Sequence, residues 1–325
     1  MAGMNVGAAI SPAMKHTGRL LFRPFALRKW LALGFVSMLS GASGGGSAHF
    51  NLPSGNSREN AEAGRVMVEW AMSHLALIIA GFVLLTLVSI ALSWLGSVLK
   101  FVYLNQITRD PCAIKAPFGW FIGLGTSYWL WGLAFGFVVL IVAALLIGVP
   151  LGLIFVSMRH GSMLVLGIVW AVVVGIGLAI AVGVIGVFAQ DFVTAAMFAR
   201  GVKVLEGWRI VLQIVRANVG QSALYVLLVV AIGIALGIAS LFAMLFVGIA
   251  FLIVGGVFAL IGYGLYTAGG WSPLLIGYSV VMGFVLLMAF CYVLNCVLQP
   301  IIVFKRTLAL VVVGQAAPSL ATIPA

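Results

Sequence analysis

Gln190, Asp191, Asn295 and Gln299 are polar side chains placed to interact inside an otherwise apolar chain. Asp191 follows the apolar run Val182 to Ala189 and precedes Phe192-Val193-Thr194-Ala195-Ala196-Met197, well before the next cation, Arg200. A carboxylate at that position is partly desolvated unless paired, so it needs a partner. Asn295 and Gln299 stand one helical turn apart on one face, and Pro300 lacks the N–H that would otherwise occupy the carbonyl of Cys296. The expectation is a polar cluster of Gln190, Asp191, Asn295 and Gln299 that joins two helices as structural glue. A ligand or conduction role is the sharper alternative.

Other chemistry is scarce. Cys112, Cys291 and Cys296 are too few and too unevenly spaced for a disulfide framework or metal site, and they read as small core residues. Gly44-Gly45-Gly46 is not followed by the Lys-Ser or Lys-Thr of a phosphate loop, and neither GxSxG nor HExxH occurs. Catalytic, cofactor-binding and metal-binding residues are therefore all assigned as none. The expectation is a protein that is not an enzyme and carries no cofactor.

The elements that must hold the four polar residues follow from composition. Hydrophobic residues make up 64% of the 325, charged residues only 7%, and the mean hydropathy is +1.27. The 88 residues from Ala217 to Phe304 contain no Asp, Glu, Lys, Arg or His. A water-soluble fold with such a segment would carry a surface of bare hydrocarbon, so the solvent is lipid. Apolar runs predict about six spans. They are a short one over Leu31 to Ala48, then His74 to Val98, Tyr128 to Met158, Ser162 to Ala189, one starting near Ser222, and Pro273 to Phe304.

Basic residues alternate between loops as the positive-inside rule requires, with 14 of the 17 on one side. The fold class is thus all-α, a polytopic transmembrane helical bundle with cytoplasmic N- and C-termini. Its divisions are a cytoplasmic amphipathic segment over 1–30, a transmembrane domain over 31–310 and a tail over 311–325. The N-terminus lacks the features of a removable leader. Because Arg216 and Lys305 belong on the same side, the charge-free stretch crosses an even number of times, and two crossings leave surplus chain around Gly248 to Tyr266. That surplus is an overlong tilted helix, a kinked continuation or a re-entrant segment.

Connectors at 100–121 and 200–216 mix cations with aromatic or aliphatic residues, a pattern that fits either a helix lying in the headgroup layer or a solvated connector helix. Arg23, Arg28, Lys29, Lys100, Arg209, Arg216, Lys305 and Arg306 are the expected contacts to anionic phospholipid headgroups. Orientation and lipid contact account for the net charge of +11 without nucleic acid. Small-residue pairs at Gly132 and Gly136, Gly148 and Gly152, and Gly233 and Gly237, with a longer stripe at Gly175, Ala179 and Gly183, suit close helix packing, mostly within the chain. Pro150 predicts a kink.

Several stretches together resemble a group of uncharacterised bacterial polytopic membrane proteins related to the membrane domain found beside some glycerophosphodiester phosphodiesterases. They are Leu21-Phe22-Arg23-Pro24-Phe25 with Arg28-Lys29-Trp30-Leu31, a Gly run with Phe50-Asn51-Leu52-Pro53, and Asp191-Phe192-Val193 with Met197. Glu206-Gly207-Trp208-Arg209 with Tyr225, and Val303-Phe304-Lys305-Arg306-Thr307-Leu308-Ala309-Leu310 with Gln315, complete the set. Ala195 departs from the proline expected in that group, and Tyr103-Leu104-Asn105 lacks an expected acidic residue. The resemblance implies a helical membrane domain with no assigned reaction, and the phosphodiesterase domain has no counterpart in this chain.

The functional expectation is a scaffold or accessory subunit of a bacterial cytoplasmic (inner) membrane complex. Its partners are the lipid bilayer with its anionic headgroups, and other membrane subunits or a second copy. A channel or transporter for a small neutral or lipid-like substrate is the alternative, and a lipid-modifying enzyme is disfavoured for want of acid, base or metal ligands.

Overall fold

A computed structural model describes residues 4–41, 72–73, 75–156, 161–270 and 272–323. The described chain is helical, and six of its helices are long and apolar enough to cross a membrane. This is the architecture of a polytopic helical membrane protein.

Helix α1 (Val6–Phe22) starts where the Asn5 side chain accepts the Ala8 N–H at 3.0 Å. It buries Val6, Ala9, Ala13, Thr17 and Leu21, spaced by three or four residues along one face. That face packs antiparallel to the last helix, with the Asn5 N–H on Gln315 at one end and Phe22 beside Pro300 and Ile301 at the other. Helix α2 (Leu27–Ser40) stops at Gly41, whose φ of 62° is the left-handed cap that glycine adopts without strain. At ~1.5 Å per residue its 14 residues rise roughly 20 Å, short of a ~30 Å hydrocarbon core. The rest of the expected first span, to Ala48, lies outside the described residues.

Helices α3 (Leu75–Thr108) and α4 (Lys115–Ala143) form an antiparallel pair, and α4 continues through a π-turn (Ala144–Gly148) into α5 (Val149–Val156). The π-turn lies directly before Pro150. The proline leaves the Leu146 carbonyl without its helical donor, and Trp170 supplies an indole N–H to it at 2.9 Å. Trp170 belongs to α6 (Gly161–Val187), which runs through a second π-turn (Phe188–Val193) into α7 (Thr194–Arg200).

Helix α8 (Val204–Ala217) buries Val204, Gly207, Val211 and Ile214 and exposes Arg209 and Arg216, the amphipathic pattern expected for 200–216. The other connector expectation needs correcting. Segment 100–121 is the end of α3, a turn and the start of α4, and Phe101, Val102, Tyr103, Leu104 and Ile107 are buried. Phe101 packs against Phe121 and Phe121 against Phe198 of α7, so these rings are taken up by protein, while Trp120 remains exposed.

The charge-free stretch is dominated by α9 (Val219–Gly269), 51 residues without a break. Of the three forms open to the surplus chain, the structure takes the overlong helix. Its second half pairs antiparallel with α10 (Pro273–Val297), Phe251 meeting Phe290 and the Tyr278 hydroxyl donating to the Phe258 carbonyl at 2.9 Å. Helix α10 does not run on to Phe304 as expected. Leu298 leaves the helical line with ψ near −2°, Pro300 sits in the first turn of a new helix, and α11 (Gln299–Ala316) begins.

Helix α11 passes the length and hydropathy test for a span, yet two thirds of its apolar window is buried inside the protein, whereas the windows of the other five candidates contain no fully buried residue. It is the axis of the core. The expected tail over 311–325 is likewise drawn in, since Val311, Val312, Val313, Ala316, Leu320 and Ile323 are buried, too apolar to be left in water. The molecule therefore has a packed head, formed by α1, α2, α8, α11 and the adjoining ends of α3, α7 and α9. Bare apolar lengths of α3–α6, α9 and α10 extend from it.

Glycine decides where helices meet most closely. A Cβ on Gly96 would lie 2.8 Å from the Leu39 carbonyl oxygen, and one on Gly125 would run into the Val98 backbone. These contacts, with Gly34 on Cys296, bring α2, α3, α4 and α10 together. The stripes named from spacing do not do this. Gly132, Gly136, Gly148, Gly152, Gly183, Gly233 and Gly237 face open space, because they lie on the lipid-exposed lengths.

Candidate functional site: a buried polar core

Two polar networks occupy the head. In the first, Asp191 is held by the π-turn of the α6–α7 line and is buried. Arg306 reaches it from the middle of α11, with Nη1 3.0 Å from Asp191 Oδ1 and 2.6 Å from the Gln190 carbonyl oxygen. Tyr225, fully buried on α9, donates its hydroxyl to Asp191 Oδ2 at 3.1 Å while its ring packs edge-on against Phe192. Side-chain exposures of 5% and 1% put Arg306 and Asp191 out of bulk solvent, and theirs is the one ion pair among the described residues. The wider π-turn also leaves the Gln190 carbonyl to take the Thr194 hydroxyl at 2.6 Å.

The second network centres on Gln299. Its Oε1 accepts the Tyr103 hydroxyl at 3.0 Å, and its Nε2 donates to Ser37 Oγ at 2.5 Å and to the Asn295 carbonyl at 3.2 Å. It thus ties α2, α3, α10 and α11 at one point. Asn295 contributes mainly its backbone, since its side-chain amide donates to the Cys291 carbonyl of its own helix.

All four expected residues lie in or beside the head, but their connections differ from the expected cluster. Asp191 makes its hydrogen bonds to Arg306 and Tyr225, and among the described residues none joins it to Asn295 or Gln299. Gln190 takes part through its carbonyl. Arg306 was expected at a lipid headgroup and is instead 4% exposed. It belongs to a helix enclosed by protein, so its charge must be met inside. Its sequence signal was its spacing: Arg306 lies seven residues after Gln299, two turns along the same face of α11. Tyr225 and Tyr103 carried no comparable mark in the apolar pattern.

The remaining headgroup candidates divide by position. Arg23, Arg28, Arg209 and Arg216 are exposed, Lys29 and Lys305 are half-buried, and Lys100 is half-buried with its ammonium 4.9 Å from the centre of the Tyr128 ring. The core also holds Gln106, wholly buried on α3, with no hydrogen-bond partner for either amide atom among the described residues. No group of three or more His, Cys, Asp or Glu able to hold a metal ion occurs among those residues.

The arrangement clamps helices to one another. A family model covers this whole construction, from residue 4 to residue 323. The chain belongs to DUF7544, a family of unknown function. The match takes in both polar networks and all of the long apolar helices. No curated protein and no solved structure matches the chain.

Proposed function

We propose that this DUF7544 protein is a membrane-embedded scaffold or accessory subunit of a bacterial cytoplasmic membrane complex, with both termini on the cytoplasmic side. One contrast carries the reading. The head's ion pair and Gln299 network are consumed in holding helices to one another, whereas the apolar windows of the five other long helices contain no fully buried residue. Faces of that size exceed the apolar patch of a lone soluble surface and suit lipid or neighbouring subunits. A transporter would need polar groups along a path to the membrane centre, and the charged side chains in the described long helices lie at their head ends. Kinship with the membrane domain beside glycerophosphodiester phosphodiesterases would make such a hydrolase one candidate partner.

Solubilisation of the full chain in mild detergent, followed by mass spectrometry of co-purifying proteins, tests the proposal. A stoichiometric membrane partner or a stable homo-oligomer is the expected result. A lone monomer that transports a solute after reconstitution would overturn it.

A further inference from the structure

We infer that the cleft between α2, α3 and α4 is a binding site for one phosphate-type anion, supplied as the headgroup of an anionic phospholipid, with Lys100 as its cation. The inference deepens the membrane reading but does not depend on the scaffold role.

The cleft has a volume of about 470 Å³, within the usual range for small-molecule sites. Its walls include Ser40 and Gly41 from the end of α2, Ser93 and Lys100 from α3, and Tyr128 and Trp129 from α4. The serine hydroxyls are already engaged. Ser93 Oγ accepts the Trp129 indole N–H at 2.9 Å and donates to the Ile90 carbonyl, and Ser40 Oγ donates to the Ser37 carbonyl. Lys100 is different. Its ammonium rests on the Tyr128 ring and has neither a hydrogen bond nor an acidic partner among the described residues.

Charge balance points the same way. Arg306 lies within electrostatic reach of both Lys100 and Lys305, and Asp191 is the carboxylate that faces this group. Arg306 already takes the Asp191 carboxylate at 3.0 Å, which leaves Lys100 without a counter-ion among the described residues. A partly desolvated cation without a counter-ion is costly, and an anion entering the cleft would remove that cost.

Position selects a lipid over a free ion. Along α3, Leu85, Leu87 and Leu92 are exposed and apolar, whereas Gly96 to Ile107 pack into the head, so Lys100 stands just past the seam between the two lengths. The cleft's outer rim, Leu92 and Leu133, is about half exposed and continuous with those apolar faces. A headgroup on Lys100 would thus leave acyl chains along α3 and α4.

The full chain in mild detergent would be titrated with phosphatidylglycerol or phosphatidylcholine of identical acyl chains, counting bound lipid by native mass spectrometry. One cation at the membrane surface corresponds to about a fivefold preference for the anionic lipid. That preference is expected in the wild type, absent in Lys100→Met and retained in Lys100→Arg. A measurement on the wild type alone guards against misfolding of the variants. Phosphatidylglycerol brominated near the headgroup should quench tryptophan fluorescence more than the equivalent phosphatidylcholine, because Trp129 and Trp131 line the cleft. Equal binding of the two lipids, or a preference unchanged in Lys100→Met, would overturn the inference. Displacement of bound phosphatidylglycerol by millimolar inorganic phosphate would overturn the lipid assignment in favour of a free anion.

Discussion

Removing the Asp191 carboxylate should destabilise the head by several kcal/mol. In Asp191→Leu the guanidinium of Arg306 keeps the Gln190 carbonyl at 2.6 Å but loses its counter-charge, with its side chain 5% exposed and Lys100 and Lys305 in electrostatic reach. An uncompensated buried charge of this kind costs about 3–5 kcal/mol. The Tyr225 hydroxyl loses its acceptor in the same change, and an unsatisfied buried group costs about 1–3 kcal/mol. Arg306→Met should cost about as much as Asp191→Leu, by stranding the carboxylate. The double variant Asp191→Leu with Arg306→Met removes both charges and should fall well short of the sum, giving a coupling energy of at least about 2 kcal/mol. Denaturant titration of the purified protein, read by tryptophan fluorescence across all four members of the cycle, measures that coupling. Additivity within about 0.5 kcal/mol would show that the pair is not an energetic unit and would refute the reasoning.

Three further outcomes follow from other contacts. Gln299→Leu strands the Tyr103 hydroxyl and loosens α2 from α11, so the same titration should show a loss of about 2–3 kcal/mol, while Asn295→Leu should cost less because its amide serves its own helix. Gly125→Ala forces a methyl into the Val98 backbone and should cost about 1–3 kcal/mol, whereas Gly132→Ala, two turns along the same helix where a Cβ meets nothing, should be neutral or slightly stabilising in a thermal-stability assay. Pro150→Ala restores an N–H for the Leu146 carbonyl, so Trp170→Phe should be destabilising by about 1 kcal/mol in the wild type and nearly silent in the proline variant.

Much of the fold is legible in the sequence because its cause is local. Hydropathy over twenty or more residues is a property of the segment alone, so the long helices, the lipid solvent and the amphipathic pattern of 200–216 can be read directly. The distortion at Pro150 is equally local, since one missing N–H produces it. Segment 100–121 misleads for a related reason: a run mixing cations with aromatic residues looks the same whether it lies on headgroups or packs into a protein core. Phe101 and Tyr103 take the second course only because α4, α7 and α11 come to meet them.

The sequence by itself determined that this chain lives in lipid, that it is helical, and that Asp191, Asn295 and Gln299 are polar exceptions needing partners. Which partner each one found was decided by tertiary structure. Arg306 reads as a loop cation until α11 is seen to fold back into the head, where a charge surrounded by apolar side chains has no water and must bind the nearest carboxylate. The glycines divide in the same way. All look alike along the chain, but only those at a helix crossing, such as Gly96 and Gly125, have a neighbour close enough to forbid a side chain. Burial is a relation between distant segments, so no window of sequence contains it.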